Sequence, residues 1–300
     1  MKVLLIDLDS VIPNLALMKL SAHHKNQGDS VFLNRGMNAP DKVYISCVFS
    51  KNRGKALGIT KMFKCPVEVG GYGANDVQLP DVVEHMTPDY SLYPHTDFSM
   101  GYTSRGCIRR CPFCIVWKKE GNIRDHASIS EFWNVGYPKL ILLDNSFLAS
   151  PKWKENMEFL VTHQIPVNFS QGLDIRLVND DNIVWLRLID SRTISFLSRM
   201  YYFAFDDPAI EDEVRKGVAL LRKHGIRPRY LTFYMLCGFN TTHEEDMHRF
   251  EVLRELGAWP YVMKYNDRQD DPWLNDFDRW VNARMHKVCS FQNYKPRRNH

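Results

Sequence analysis

Short apolar runs alternate with amphipathic segments along almost the whole chain. Lys2 to Leu8 reads as one apolar strand of the kind buried in a parallel sheet. Pro13 and Asn14 open a helix that continues to about Gln27, and Gly28 supplies its stop. Further strands are predicted at Val31 to Leu33, Val43 to Val48 and Cys65 to Gly71, with a helix over Asn52 to Phe63. From about residue 95 the alternation resumes. Met100 to Cys107 is a strand running into a loop, and Lys139 to Leu143, Pro166 to Asp174, Tyr201 to Phe205, Leu231 to Leu236 and Pro260 to Lys264 follow. Helical patterns lie between and after them, at about 151–163, 179–190, 209–224, 243–256 and 275–286.

Strands that alternate with helices predict an α/β fold with parallel sheets. The second half contains six βα units, enough for a partial (βα)6 TIM-like barrel rather than a full eight. The expected layout is a shortened Rossmann-like module over 1–94, the barrel over 95–267 and a basic helical tail over 268–300. Polar residues mark the carboxyl ends of the barrel strands: Asp144 and Asn145, Gln171, Asp174 and Arg176, Asp206, and Gly238 to Thr242. The last strand, through Met263, ends at Tyr265. Any one of Asp144, Asn145 and Asp206 is explained by helix capping alone. Their repetition on successive strands favours a site, because barrel loops converge at that end.

Composition narrows the classes. Hydrophobic content of 44% and aromatic content of 12% support a buried core. No apolar run reaches membrane-span length, and Asp7 and Asp9 interrupt the apolar start too early for a signal peptide. The expectation is a cytoplasmic protein with no membrane partner. The net charge of +4 is mild and permits an anionic substrate without demanding one. Lys287, Lys295, Arg297 and Arg298 make the tail basic, which reads as a solvated surface rather than a nucleic-acid arm. A small-molecule substrate is therefore expected in preference to nucleic acid.

The seven cysteines are scattered and odd in number, unlike a disulfide framework. Cys107, Cys111 and Cys114 form a C-x3-C-x2-C triplet. Three thiolates can hold three irons of a four-iron cluster and leave the fourth open to a small molecule. A zinc site would need a fourth ligand such as His95 or His126, and no second cysteine knuckle is present. Cys237 reads as a small buried hydrophobe. Cys47, Cys65, Cys237 and Cys289 lack the spacing of a second cluster.

The triplet, with Phe113 just before its last cysteine and Met100 to Cys107 leading into it, resembles the cluster loop of radical S-adenosylmethionine (SAM) enzymes. That resemblance implies a [4Fe-4S] cluster on Cys107, Cys111 and Cys114, and SAM on the open iron. It also implies reductive cleavage of SAM to a 5′-deoxyadenosyl radical that takes hydrogen from a substrate, with an electron donor such as flavodoxin or ferredoxin. Phe113, Asp144, Asn145, Gln171, Asp174, Arg176, Asp206, Gly238 and Tyr265 are the implied SAM neighbours, with Asp144 and Asn145 near its amino group and Arg176 facing its carboxylate. The N-terminal third is similar to the cobalamin-binding module of one class of these enzymes, through Val3 to Ile6, Pro13 to Leu15, Val43 to Ser46 and Gly70-Gly71. It departs from that class in having no Asp-x-His-x-x-Gly motif and no room for a fifth βα unit. His23 and His24 read as surface residues of the first helix. The expectation is thus a module without cobalamin. A cobalamin-dependent methyltransferase, a nucleic-acid or nucleotide modification enzyme, and a non-enzymatic iron–sulfur or zinc protein remain as alternatives.

Overall fold

The computed structural model describes residues 1–35, 39–75, 77–268 and 270–295. Arg297 and Arg298 lie outside the described residues. The chain divides into two compact units. One comprises Met1–Gly101 with Ala127–Leu140, and the other Tyr102–His126 with the chain from Ile141 onward.

The first unit is built on β1 (Lys2–Asp7), α1 (Leu15–Asn26), β2 (Ser30–Leu33), β3 (Lys42–Ser46), α2 (Arg53–Thr60), β4 (Val67–Gly70) and α3 (Asp81–Glu84), with β5 (Phe98–Gly101) after them. Its parallel sheet has the order β2-β1-β3-β4. Both faces are covered, as a continuous apolar strand requires. Leu4, Val43 and Ile45 pack with Ala56 of α2 on one side, and Val3 and Leu5 pack with Leu17 and Leu20 of α1 on the other. Asn14 caps α1 by accepting the Leu17 N–H at 3.1 Å. Pro13 lies outside the helix. His24 corrects the expectation of a surface residue: it is 3% exposed. Its ring nitrogens meet Asp29 at 2.7 Å and the Tyr44 hydroxyl at 3.1 Å, so the α1–β3 packing takes it inside.

The chain continues through β6 (Ser104–Arg105), α4 (Val116–Lys119), β7 (Arg124–Asp125), α5 (Ile129–Phe132) and β8 (Lys139–Leu142). Next come α6 (Trp153–Thr162), β9 (Pro166–Phe169), α7 (Ile183–Leu188), β10 (Asp190–Ser191) and β11 (Tyr201–Ala204). Last are α8 (Glu211–Lys223), β12 (Leu231–Cys237), α9 (His243–Leu256), β13 (Trp259–Lys264) and α10 (Pro272–Asn282). All six strands expected from the periodicity are present. β8 and β9 are neighbours. A parallel bridge from Leu173 to Phe203 connects the segment after β9 to β11, and β11, β12 and β13 pair in parallel.

Two helices differ from their sequence-predicted bounds. The first, α7, begins late because Asn179 and Asn182 form local side-chain turns ahead of it. The second, α10, begins early, with Asp271 as cap and Pro272 at its first position, and it ends before Arg284 at φ +60°. It also closes the sheet edge at β13, where the Asn282 amide accepts the Val262 N–H and donates to its C=O, each at 2.9 Å.

Candidate functional site: the cysteine loop and the strand ends around it

The cysteine loop is an excursion between β6 and β7, which pair antiparallel through Ser104–Asp125 and Arg105–Arg124. Gly106 starts the excursion at φ +80°, and a Cβ there would meet the Asn122 carbonyl oxygen at 2.2 Å. Only glycine fits so close an approach. Cys107 donates its N–H to the Gly121 carbonyl at 3.2 Å, closing the loop's base. Gly106→Ala is expected to open this base and to lower the metal content of reconstituted protein several-fold, with a cost of about 1–3 kcal/mol in stability. Metal analysis and thermal denaturation check both.

Two buried carboxylates hold this base. Asp144, at the end of β8, accepts the backbone N–H groups of Thr103 (3.1 Å) and Ser104 (2.6 Å) and both their hydroxyls (2.6 and 2.7 Å). Burial pushes its carboxyl above the usual range against the pull of these donors. Glu120, at the far end of the loop, accepts the Gly106 N–H at 2.8 Å and the Asn145 amide at 3.1 Å, and pairs with Arg105 at 3.0 Å. Burial raises its carboxyl as well, against Gly106, Arg124 and Asn145. Asp144 and Asn145 thus address the loop's supports, and neither acts as a helix cap.

Arg109 in the loop bonds Asp174 at 2.9 Å, and Asp174 also accepts from Arg176 at 2.7 and 3.0 Å. Burial raises the Asp174 carboxyl, but Arg176 and then Arg109 outweigh it, so it lies below its ordinary value. Burial likewise pulls the Arg176 guanidinium down, and Asp174 more than restores it. Asp206 accepts the Leu236 N–H at 2.7 Å, and burial raises its carboxyl despite that bond and Arg249. Phe113 meets Phe239 edge-on at 5.7 Å, and Phe239 meets Tyr265 at 4.8 Å. An open cleft of about 380 Å³ beside them is lined by Gly238, Phe239, Thr241, Thr242, Arg268 and Asp271, among others.

All three cysteines are free thiols. The Arg109 N–H donates to the Cys107 sulfur at 3.3 Å. Burial pushes the Cys111 and Cys114 thiols up, and the charge of neighbouring loop cysteines adds to it, whereas Arg176 pulls Cys111 down. Three thiolates this close repel unless a cation sits between them, so the donor set suits a metal cluster. No group of three or more His, Cys, Asp or Glu side chains stands in metal-holding geometry among the described residues.

Comparison with known proteins bears on the fold. No protein-family model matches the sequence, and no curated protein matches it. Among solved structures, the apo, selenomethionine-labelled cobalamin-dependent S-adenosylmethionine radical enzyme OxsB is similar, with a TM-score of 0.54 at 14% identity. The chain shares its fold with a radical SAM enzyme. The match covers 95% of this chain and 55% of that one, so this chain spans about half of OxsB.

On this radical SAM fold, Cys107, Cys111, Cys114, Phe113, Asp174, Arg176 and Asp206 gather around one loop, with Gly238 and Tyr265 beside it. Gln171 stands apart: it is exposed, and its amide reaches only Ser170, at 3.5 Å. Sequence reasoning missed Arg109, Glu120 and the buried Asp246–Arg249 pair of α9. Arg249 is fully buried and donates to the carbonyls of Phe205 and Leu236 at the ends of β11 and β12. The glycine at 106, one residue before the first cysteine, was the available signal for a tight loop base. Nothing in the sequence marks Glu120. Cys237 is buried, and its thiol is pushed up by burial, then by Asp246.

In the first unit, the sheet order reverses between β1 and β3, the position where open α/β sheets take ligands. Here that position is tied shut by the chain itself. The Asn14 amide donates to Ser46 at 2.7 Å and Ser10 at 2.8 Å, and Asp9 accepts the N–H groups of Val48 and Phe49. Gly71, at φ +100°, lies against the Cys47 backbone, where a Cβ would meet its oxygen at 2.5 Å. These residues do not form a cradle for a cofactor tail.

Proposed function

We propose that the chain is a radical SAM enzyme that carries its chemistry at the cysteine loop of a partial (βα)6 barrel. The observation that carries this reading is the loop itself. Three free cysteines sit on one excursion, locked at its base by Gly106, Glu120 and Asp144 and clamped to the end of β9 through Arg109, Asp174 and Arg176. Cys107, Cys111 and Cys114 would hold a [4Fe-4S] cluster with one open iron. With SAM bound there, the cluster would supply one electron for SAM cleavage to a hydrogen-abstracting 5′-deoxyadenosyl radical.

The chain's own residues position and shield. Arg176, with part of its fork turned to Asp174, keeps a fixed direction and offers a guanidinium to the SAM carboxylate. Asp206 lies within electrostatic reach of Cys111 and Cys114 and would face the ribose hydroxyls or the substrate. Phe113, Phe239 and Tyr265 form an aromatic edge that keeps water from the cluster. Gly238 and the cleft beside it are suited to the adenosine. Asp144 and Asn145 serve the loop's supports and would act on SAM through them.

Arg176→Ala is expected to weaken SAM binding by about tenfold, near 1.4 kcal/mol, with iron content unchanged. Equilibrium binding on reconstituted protein checks this, and unchanged affinity would remove Arg176 from the site. The similarity to a cobalamin-dependent enzyme keeps a second reading, cobalamin-dependent radical chemistry. Incubation with hydroxocobalamin followed by gel filtration separates the two. The closed β1–β3 position predicts no retained absorbance, and stoichiometric retention would favour the second reading.

A further inference from the structure

The sheet β11-β12-β13 has two unlike faces. Phe203, Phe233, Met235 and Val262 are buried on one face, where Arg249 of α9 reaches the Cys237 sulfur at 3.8 Å. Strand register places Tyr202, Tyr234, Leu236, Tyr261 and Met263 on the other. Parallel sheets of this class normally have both faces covered. Here the second face stays half open, and Tyr261 and Met263 are each 46% exposed.

The three tyrosines form one surface. Tyr202 and Tyr234 stack at 5.5 Å with 12° between their planes, and Tyr261 meets Tyr234 edge-on at 5.8 Å. None of the three hydroxyls has a hydrogen-bond partner among the described residues. No charged side chain lies among Tyr202, Tyr234, Leu236, Tyr261 and Met263. At its carboxyl end the face leads through Leu236 to Phe239, whose ring touches Phe113 of the cysteine loop.

We propose that this tyrosine face is the wall against which the substrate lies, and that it selects an uncharged, ring-bearing small molecule carrying hydroxyl or carbonyl groups. The proposal rests on the reading that the cysteine loop is the reactive centre. Aromatic faces stack on rings. Each phenol can both donate and accept a hydrogen bond, so three unpartnered hydroxyls match polar groups on the ring's rim. An ionic substrate would lose hydration on this wall with no counter-charge to replace it.

The test uses the anaerobically purified full chain and three probes of similar size: benzyl alcohol, benzoate and benzylamine. Affinities are measured by ligand-observed NMR titration, and SAM binding is measured on the same samples. Benzyl alcohol should bind about tenfold more tightly than either ion. Tyr234→Ala should weaken it by about tenfold through lost stacking, and Tyr234→Phe by about threefold through the lost hydroxyl. SAM affinity should not change in either variant. Equal binding of the ions, no binding of any probe, or benzyl alcohol affinity unchanged in both variants would overturn the wall while SAM still binds. Loss of SAM binding by the unaltered protein, with the benzyl alcohol pattern intact, would instead overturn the reading of the cysteine loop.

Discussion

Replacement of any one of Cys107, Cys111 and Cys114 by Ala yields protein that, reconstituted anaerobically with iron and sulfide, keeps under about one iron per chain. The unaltered chain should keep about four. No 5′-deoxyadenosine forms from SAM after reduction. The loss is complete rather than partial because the donor set has no reserve. No other cysteine belongs to the loop, and Cys237 is buried with its thiol pushed up, so it cannot step in. The fold should survive, since the thiols are half-buried and the loop base is held by Gly106, Glu120 and Asp144 instead. Iron and sulfide assays with circular dichroism separate loss of ligand from loss of fold. A single variant that still assembles four irons and cleaves SAM would remove that cysteine from the site.

The second large effect falls on stability. Asp144→Ala strands two backbone N–H groups and two hydroxyls in a site that is 3% exposed. An unsatisfied buried polar group costs about 1–3 kcal/mol. Rotation of the hydroxyls to other partners recovers part of that, which leaves an expected loss of about 3–5 kcal/mol. Asp144→Asn keeps an acceptor oxygen and should lose about 1–2 kcal/mol. Urea denaturation measures both. Equal, small losses in the two variants would show that Asp144 does not hold the loop's entry strand.

The alternation of apolar runs was enough to locate the strands, because burial on a sheet leaves a direct imprint on composition. Caps were legible too: Thr242 with Glu245 forms a complete capping box on α9, and Asn14 caps α1. The residues that build the site's supports were not legible. Asp246 and Arg249 are spaced three apart on a helix, which in sequence looks like a surface ion pair. Only tertiary packing puts both in the interior. His24 is hidden by the same effect, since α1 carries polar and apolar residues without a clear stripe. Glu120 lies in a run of lysine, glycine and asparagine that reads as exposed loop, and its burial depends on Gly106 and Asn145 closing over it from elsewhere in the chain.

The central claim is that three loop thiolates hold a four-iron cluster with one iron open to SAM. The most direct measurement is electron paramagnetic resonance of the anaerobically reconstituted, dithionite-reduced protein with and without SAM. The account predicts the signal of a reduced [4Fe-4S] cluster whose g-values shift when SAM is added. A signal indifferent to SAM, or silent protein holding stoichiometric zinc in place of iron, would contradict it.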